Sequence, residues 1–485
     1  MPTPLPLSPV ACDGPANTRP GHALGAIALL LAACVAPPAE RDLAVWRCDL
    51  RWSADHRRLF GVLHIPPGAA LTLRAPVAAA AFFQFDGGPG TGGAAERVVP
   101  AATSLRREPF HLDLADAAQA IDDDRVLARS GSGFVGAVST LLPEPVDADE
   151  ASLRLTVEPP PAERFVCVLP RHGADWFASA ADLAASPSCC FGAVALHTLA
   201  RPDLPVQVEV AHLASTDAAS TAALDDHLAA GVRATAAWFE RFPVDRMLVI
   251  VIPVAGRSIP SGNVRGDGGA CVRLHVPRRL EPTALAEDWV VFHEFVHLAL
   301  PTLPARHRWF DEGVATYVEP LLQASLGRST ATAIWRARLD EYPQGLPSPG
   351  SGGLDDDASW GRTYYGGAAF CLLADLRIRE ATGGTRSLRH ALAAVVAAGG
   401  AVTKSWSLPQ LLAVGDRATG TRVLQDLYAQ LAHDERAIDL DGIWRELGLR
   451  LAGERLLVDD DAPLAALRRT MVPSATLGAA TQSPR

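Results

Sequence analysis

The chain has 485 residues, enough for two or three domains, and its 48% apolar against 20% charged composition excludes intrinsic disorder. The formal net charge of −10, with no long basic stretch, excludes a nucleic-acid footprint and marks a soluble, acidic surface.

The first element in chain order is a targeting segment. Arg19 precedes an apolar run over residues 23–33, the length of a signal-peptide core and too short to span a membrane. The run ends Leu31-Ala32-Ala33-Cys34, which resembles the lipobox of bacterial lipoproteins. Residues 1–33 are expected to be a signal peptide and the protein to be exported, to the periplasm or cell surface. A lipid on Cys34 would anchor it to the membrane, with an ordinary cleaved signal as the alternative. Besides Cys12 and Cys34 there are six cysteines, at 48, 167, 189, 190, 271 and 371, none in CxxC spacing, so zinc-knuckle and thioredoxin-like readings fail. They read as disulfide partners in an exported protein or as buried free thiols.

Residues 40–212 carry short strand-like runs (59–65, 80–85, 153–157, 165–169 and 206–210) divided by Pro, Gly and Asp. Several alternate polar with apolar, which predicts a β-rich, sandwich-like N-terminal domain. Residues 213–400 change character. A helix is expected from 220 to 242, ended by Pro243, and a fully buried strand over 247–254. Residues 263–269 read as a loop and 270–276 as an exposed edge strand. Helices follow at 283–300, 309–326, 366–382 and 387–398. Residues 401–485 read as a helical remainder with a polar tail. The fold class is therefore α+β, a β-sandwich-like domain followed by a mainly helical domain with a small sheet.

The chemistry concentrates in His293-Glu294-Phe295-Val296-His297. Pro282 suits a first helical turn and Pro301 ends the helix. Four residues apart, His293 and His297 project from one face and can grip one Zn2+. Glu294 lies about 100° around the helix. From there it can take a proton from the attacking water and pass it to the leaving amine. The apolar flanks mark this helix as buried, and buried polar groups of this kind need a partner, which a metal supplies. A catalytic zinc needs a third protein ligand. Glu312, fifteen residues after His297 on the next helix, is the candidate, and Glu319 on the same face is the fallback.

An HExxH helix followed by Trp309-x-x-Glu312-Gly313-x-Ala315 resembles the gluzincin zinc peptidases. Thr363-Tyr364-Tyr365-Gly366-Gly367, with Thr382-Gly383-Gly384 and Ser387-Leu388 downstream, resembles the glycyl aminopeptidases within that clan. The resemblance implies a thermolysin-like catalytic domain with one zinc per chain and a peptide or protein substrate. It also implies a tyrosine that donates to the oxyanion, Tyr364 by position with Tyr365 second. Aminopeptidases of the clan hold the substrate amine with an acid on a Gly-rich edge strand. Here Cys271 stands at that place and Asp267 is displaced, so endopeptidase and aminopeptidase activity both remain open. Two other functions are compatible with these residues. One is a non-catalytic surface lipoprotein on the same scaffold, the other a zinc amidohydrolase on a non-peptide amide.

Overall fold

Period-two patterning builds the N-terminal half. Val45–Trp52 buries every second side chain and pairs with Leu59–Ile65 and Ser152–Glu158 in a seven-stranded sheet. Two four-stranded sheets accompany it. One contains Leu71–Arg74 and Glu96–Val99, the other Leu127–Ser130, Gly133–Ala137, Arg164–Cys167 and Ser188–Gly192. Side chains of all three sheets share one apolar core. The last sheet is apolar on both faces. Phe134, Phe165, Cys167, Cys189 and Phe191 enter that shared core, while Val135, Val166 and Cys190 point the other way. Alternation of this kind is the direct consequence of side chains leaving a strand on opposite faces.

This is a computed structural model in which the described residues run from 45 to 475, apart from 88–90, 93–94, 147–151, 215–216 and 436–437. They belong to one compact unit. The signal segment and Cys34 lie outside the described residues. All six described cysteines are buried free thiols. Among the described residues no helix is long and apolar enough to cross a membrane.

A five-stranded sheet stands between this β layer and the helices. Its strands are β1 (Ala195–Thr198), β2 (Gln207–His212), β3 (Arg246–Val254), β4 (Ser261–Arg265) and β5 (Ala270–Pro277), in the order β1-β2-β3-β5-β4. Strands β2, β3 and β5 run parallel, and β4 is antiparallel to β5. The parallel step from β2 to β3 crosses through helix α1 (Ala218–Trp238). Along β3, Met247, Val249 and Val251 face the helices while Leu248, Ile250 and Ile252 face the β layer. That is why its sequence is a continuous apolar run. Each such side chain, fully buried, stabilises the fold by roughly 1.5–3 kcal/mol. β1 and β2 fall within residues 40–212, so the composition change near 212 lies inside this sheet rather than at its border.

The sheet corrects one expectation. Residues 270–276 are not an edge strand. β5 lies between β3 and β4, and the edge is β4, in a stretch whose residues 263–269 read as a loop. The polar residues that made β5 look solvent-facing are paired inside. Arg273 donates to Asp124 O (2.6 Å) and Asn263 Oδ1 (2.9 Å), and His275 sits 2.9 Å from Asp124.

The helical half packs around α2 (Val290–His297), α3 (Arg308–Ser325) and α4 (Gly367–Ala381). The single helix expected over 283–300 is two, Pro282–Ala286 and α2, with the break at residues 287–289. Beyond them Leu388–Ala397, Leu408–Thr419, Val423–Leu431 and Leu440–Glu446 extend the same core. A hairpin, Leu449–Ala452 with Arg455–Val458, interrupts the helical C-terminal region.

Candidate metal centre and its cleft

α2 is clamped between two cores. Phe292 and Val296 enter the helical core, while Val291 and Phe295 enter the core under the sheet. The face left over carries His293, Glu294 and His297 into a cleft of about 510 Å³. The start of α2 is held by Asp288, which accepts from the backbone N–H of Val290 and Val291 (both 3.2 Å). Asp288 is also 2.7 Å from His227 Nε2, whose Nδ1 faces Arg328 Nη1 at 2.8 Å. Arginine only donates, so Nδ1 accepts and Nε2–H donates to Asp288.

α3 brings the third group. Gly313 of α3 and Gly367 of α4 meet backbone to backbone. A Cβ on Gly367 would stand 1.9 Å from Trp309 O, and one on Gly313 would stand 2.3 Å from Gly367 C. This close crossing seats Glu312 opposite α2. His293 Nε2 is 3.3 Å and His297 Nε2 3.4 Å from the same oxygen, Glu312 Oε2. Ligands about 2.0–2.1 Å from one tetrahedral ion stand roughly 3.4 Å apart, so the spacing fits zinc. Among the described residues this is the one group of three or more His, Cys, Asp or Glu side chains that can converge on an ion, with ligand atoms within 4.8 Å of one another. Glu319, the fallback, lies two turns further along α3, buried against Gln323 and outside the cluster.

Groups that sequence reasoning missed orient the cluster. Asp311 Oδ1 is 3.0 Å from His297 Nδ1, leaving Nε2 directed at Glu312. Arg308 donates to Glu312 Oε1 (3.1 Å), so one carboxylate oxygen is held by the protein and the other faces the imidazoles. The signal for both was adjacency to Glu312 on α3. Partners of this kind fix the tautomer and orientation of metal ligands.

The electrostatics follow from burial and pairing. Burial pushes Glu294 up to about 7. It lowers His293. Burial opposes the charged form of His297, yet Asp311 and Glu312 hold it well above its ordinary range. Burial likewise disfavours ionised Glu312, but the two imidazoles reverse this and hold it far below the usual carboxylate range. An ionised carboxylate beside two buried imidazoles is a donor set suited to a divalent cation.

The cleft wall is built from three directions. β4 supplies Gly262 and Asn263, and a Cβ on Gly262 would come within 2.6 Å of Glu294 Cγ. Arg125 reaches in from the β layer. A π-helical turn, Arg362–Gly366, leads into α4 and presents Tyr364, whose ring stacks on His293 at 6.2 Å. Tyr364 lines the cleft together with Glu312 and Arg308, and burial, with the Glu312 charge beside it, raises its pKa. Tyr365 instead packs toward Tyr342 in the helical core.

Cys271 does not stand at the cleft. It is fully buried and faces the β layer with Cys190, because neighbouring residues on a strand point to opposite faces. The cleft residues contributed by β4 include no acid, and Asp267, half-buried with its pKa raised by burial, lines the cleft just beyond it.

No family model matches the chain, and no curated protein matches its sequence. Solved structures do match. An aminopeptidase N family protein from Idiomarina loihiensis aligns at a TM-score of 0.63 with 12% identity, over 83% of this chain and 78% of that one. A two-domain M1 zinc metallopeptidase variant bound to L-arginine aligns at 0.50 with 16% identity, over 80% and 93%. At such identities the likeness is one of fold, and it agrees with the α+β, gluzincin-type architecture that the motifs imply.

Proposed function

We propose that the protein is a zinc-dependent peptidase with His293, His297 and Glu312 as metal ligands and Glu294 as general base. The convergence of two imidazoles on one Glu312 oxygen, with Glu294 beside them in an open cleft, carries this reading. Two imidazoles and a carboxylate are a ligand set of catalytic rather than purely structural zinc. Bound there, zinc supplies the Lewis acid for carbonyl polarisation and water activation.

The chain's own residues do the rest. Glu294 is buried at the cleft wall, where burial and the Glu312 and Asp311 carboxylates push it up to about 7 against the opposing pull of His297, which poises it to take up a proton near neutral pH. It accepts the proton of the attacking water and returns it to the leaving amine. Tyr364 donates its hydroxyl proton as a hydrogen bond to the developing oxyanion. The edge strand β4 offers backbone groups to an extended peptide, which holds the substrate without reading its side chains.

The test separates binding from chemistry. His293→Ala and His297→Ala should each lose the single zinc. Glu294→Gln should keep the metal and the fold but lose hydrolysis by at least about 100-fold. Wild type that binds zinc yet cuts no peptide, and so matches Glu294→Gln, would instead mark a non-catalytic scaffold or a non-peptide amidase.

A further inference from the structure

Among the described residues the exposed large hydrophobic side chains include only two aromatics, Trp289 at 50% and Trp360 at 60% exposure. Both stand beside the metal centre. Trp289 meets His293 edge-on at 5.4 Å, and Trp360 lies 5.5 Å from Tyr364. An exposed indole beside a reaction centre offers a flat apolar face on which a ligand ring can pack.

Trp360 forms one wall of a cavity of about 250 Å³ next to the cleft. The two spaces share Ala305, Arg308 and Tyr364, so the cavity opens where the oxyanion donor sits. It is smaller than the roughly 300–1,000 Å³ of a pocket for a whole small molecule, which suits a single side chain. Its acids are already committed. Asp355 accepts from Trp309 Nε1 (2.7 Å) and Tyr428 OH (2.7 Å) and lies 2.9 Å from His307, while Asp357 faces Arg362 at 3.8 Å. Arg306 and Arg308 line it as well, which disfavours a cationic side chain. The exposed apolar recognition surface is the pair of rings, Trp360 and Tyr364.

Resting on the peptidase reading, we infer that this cavity is a substrate subsite that takes an aromatic side chain next to the scissile bond. A third ring inserted against Trp360 and Tyr364 gains offset or edge-on contacts as well as burial. Trp360 is then a specificity-determining residue that itself takes no part in proton transfer.

The test uses quenched fluorescent peptides of one sequence, with Phe or Ala placed in turn on either side of the scissile bond. Wild type should favour Phe by about tenfold or more in kcat/KM at one of the two positions. Trp360→Ala should erase most of that ratio, and Trp360→Phe should keep most of it. Calorimetric binding of the same peptides to Glu294→Gln should show the same preference without turnover. A Phe-to-Ala ratio near one at both positions in wild type overturns the inference, as does an equal loss for both peptides in Trp360→Ala. Cleavage of neither peptide by the zinc-loaded wild type defeats the peptidase reading instead, and this inference with it.

Discussion

Replacing Gly262 with alanine is expected to disable catalysis while zinc stays bound. Gly262 lies on the edge strand directly against the base, and its new Cβ would stand 2.6 Å from Glu294 Cγ, 3.0 Å from Cδ and 3.1 Å from Oε1. Carbon atoms pack best at about 3.5–4.0 Å, so either the carboxylate or the strand must retreat by roughly 1 Å. Either movement spoils the same geometry, because β4 holds the substrate and Glu294 serves it. A displacement of about 1 Å in a reacting constellation costs on the order of 100-fold in rate. Stability is the balance of two effects, because overpacking against the buried Glu294 costs roughly 1–3 kcal/mol. Gly262 does not sit in the left-handed backbone region, so alanine fits its conformation and stiffens the unfolded chain, a gain of roughly 0.4–1 kcal/mol before the local clash. The assay is kcat on one peptide, zinc content and melting temperature, on wild type and Gly262→Ala side by side. An unchanged kcat refutes the placement of Glu294 against β4. Loss of zinc with kcat would show that the strand supports the ligands rather than the base.

The other expectations are independent of one another. Because β4 contributes no acid to the cleft, an N-terminally acetylated peptide should be cut at least as well as its free counterpart; a preference for the free peptide that vanishes in Asp267→Asn would assign the amine to Asp267. Glu319 is buried, and burial raises its pKa from 4.5 to about 8. The unfolded chain loses that proton near 4.5 and the folded one near 8, so stability falls as pH rises through this window, by roughly 1.4 kcal/mol per unit. Urea unfolding should therefore show Glu319→Gln gaining on wild type between about pH 5 and pH 8, and parallel curves would remove Glu319 as the cause. Cys34→Ser should move the protein from the membrane fraction to the soluble exported fraction if Cys34 carries a lipid, and no change would mark a plain signal peptide.

Much of the candidate site was legible because it lies along single helices. The spacing of His293, Glu294 and His297 is a property of the α-helical repeat. Apolar flanks announced the burial of α2, and the continuous run over 247–254 announced a strand covered on both faces. Glu312 was legible in the same way, from its place on the next helix after a proline-bounded turn.

What sequence could not settle was which strand had a free edge and what its side chains met. Alternation in 270–276 looks the same whether the polar residues face water or, like Arg273 and His275, are paired to Asp124 and to β4. One residue of register decided that Cys271 turns toward the β layer rather than toward the substrate. Asp311 and Arg308 were visible as residues, but their bonds to His297 and Glu312 needed the crossing of α2 with α3. The His227–Asp288–Arg328 support joins residues about a hundred positions apart, and the Trp360 cavity joins residues 305–309 to 354–364. Local periodicity determines which faces of each element are apolar. Only long-range packing determines which of those faces meet, and the cleft exists between faces.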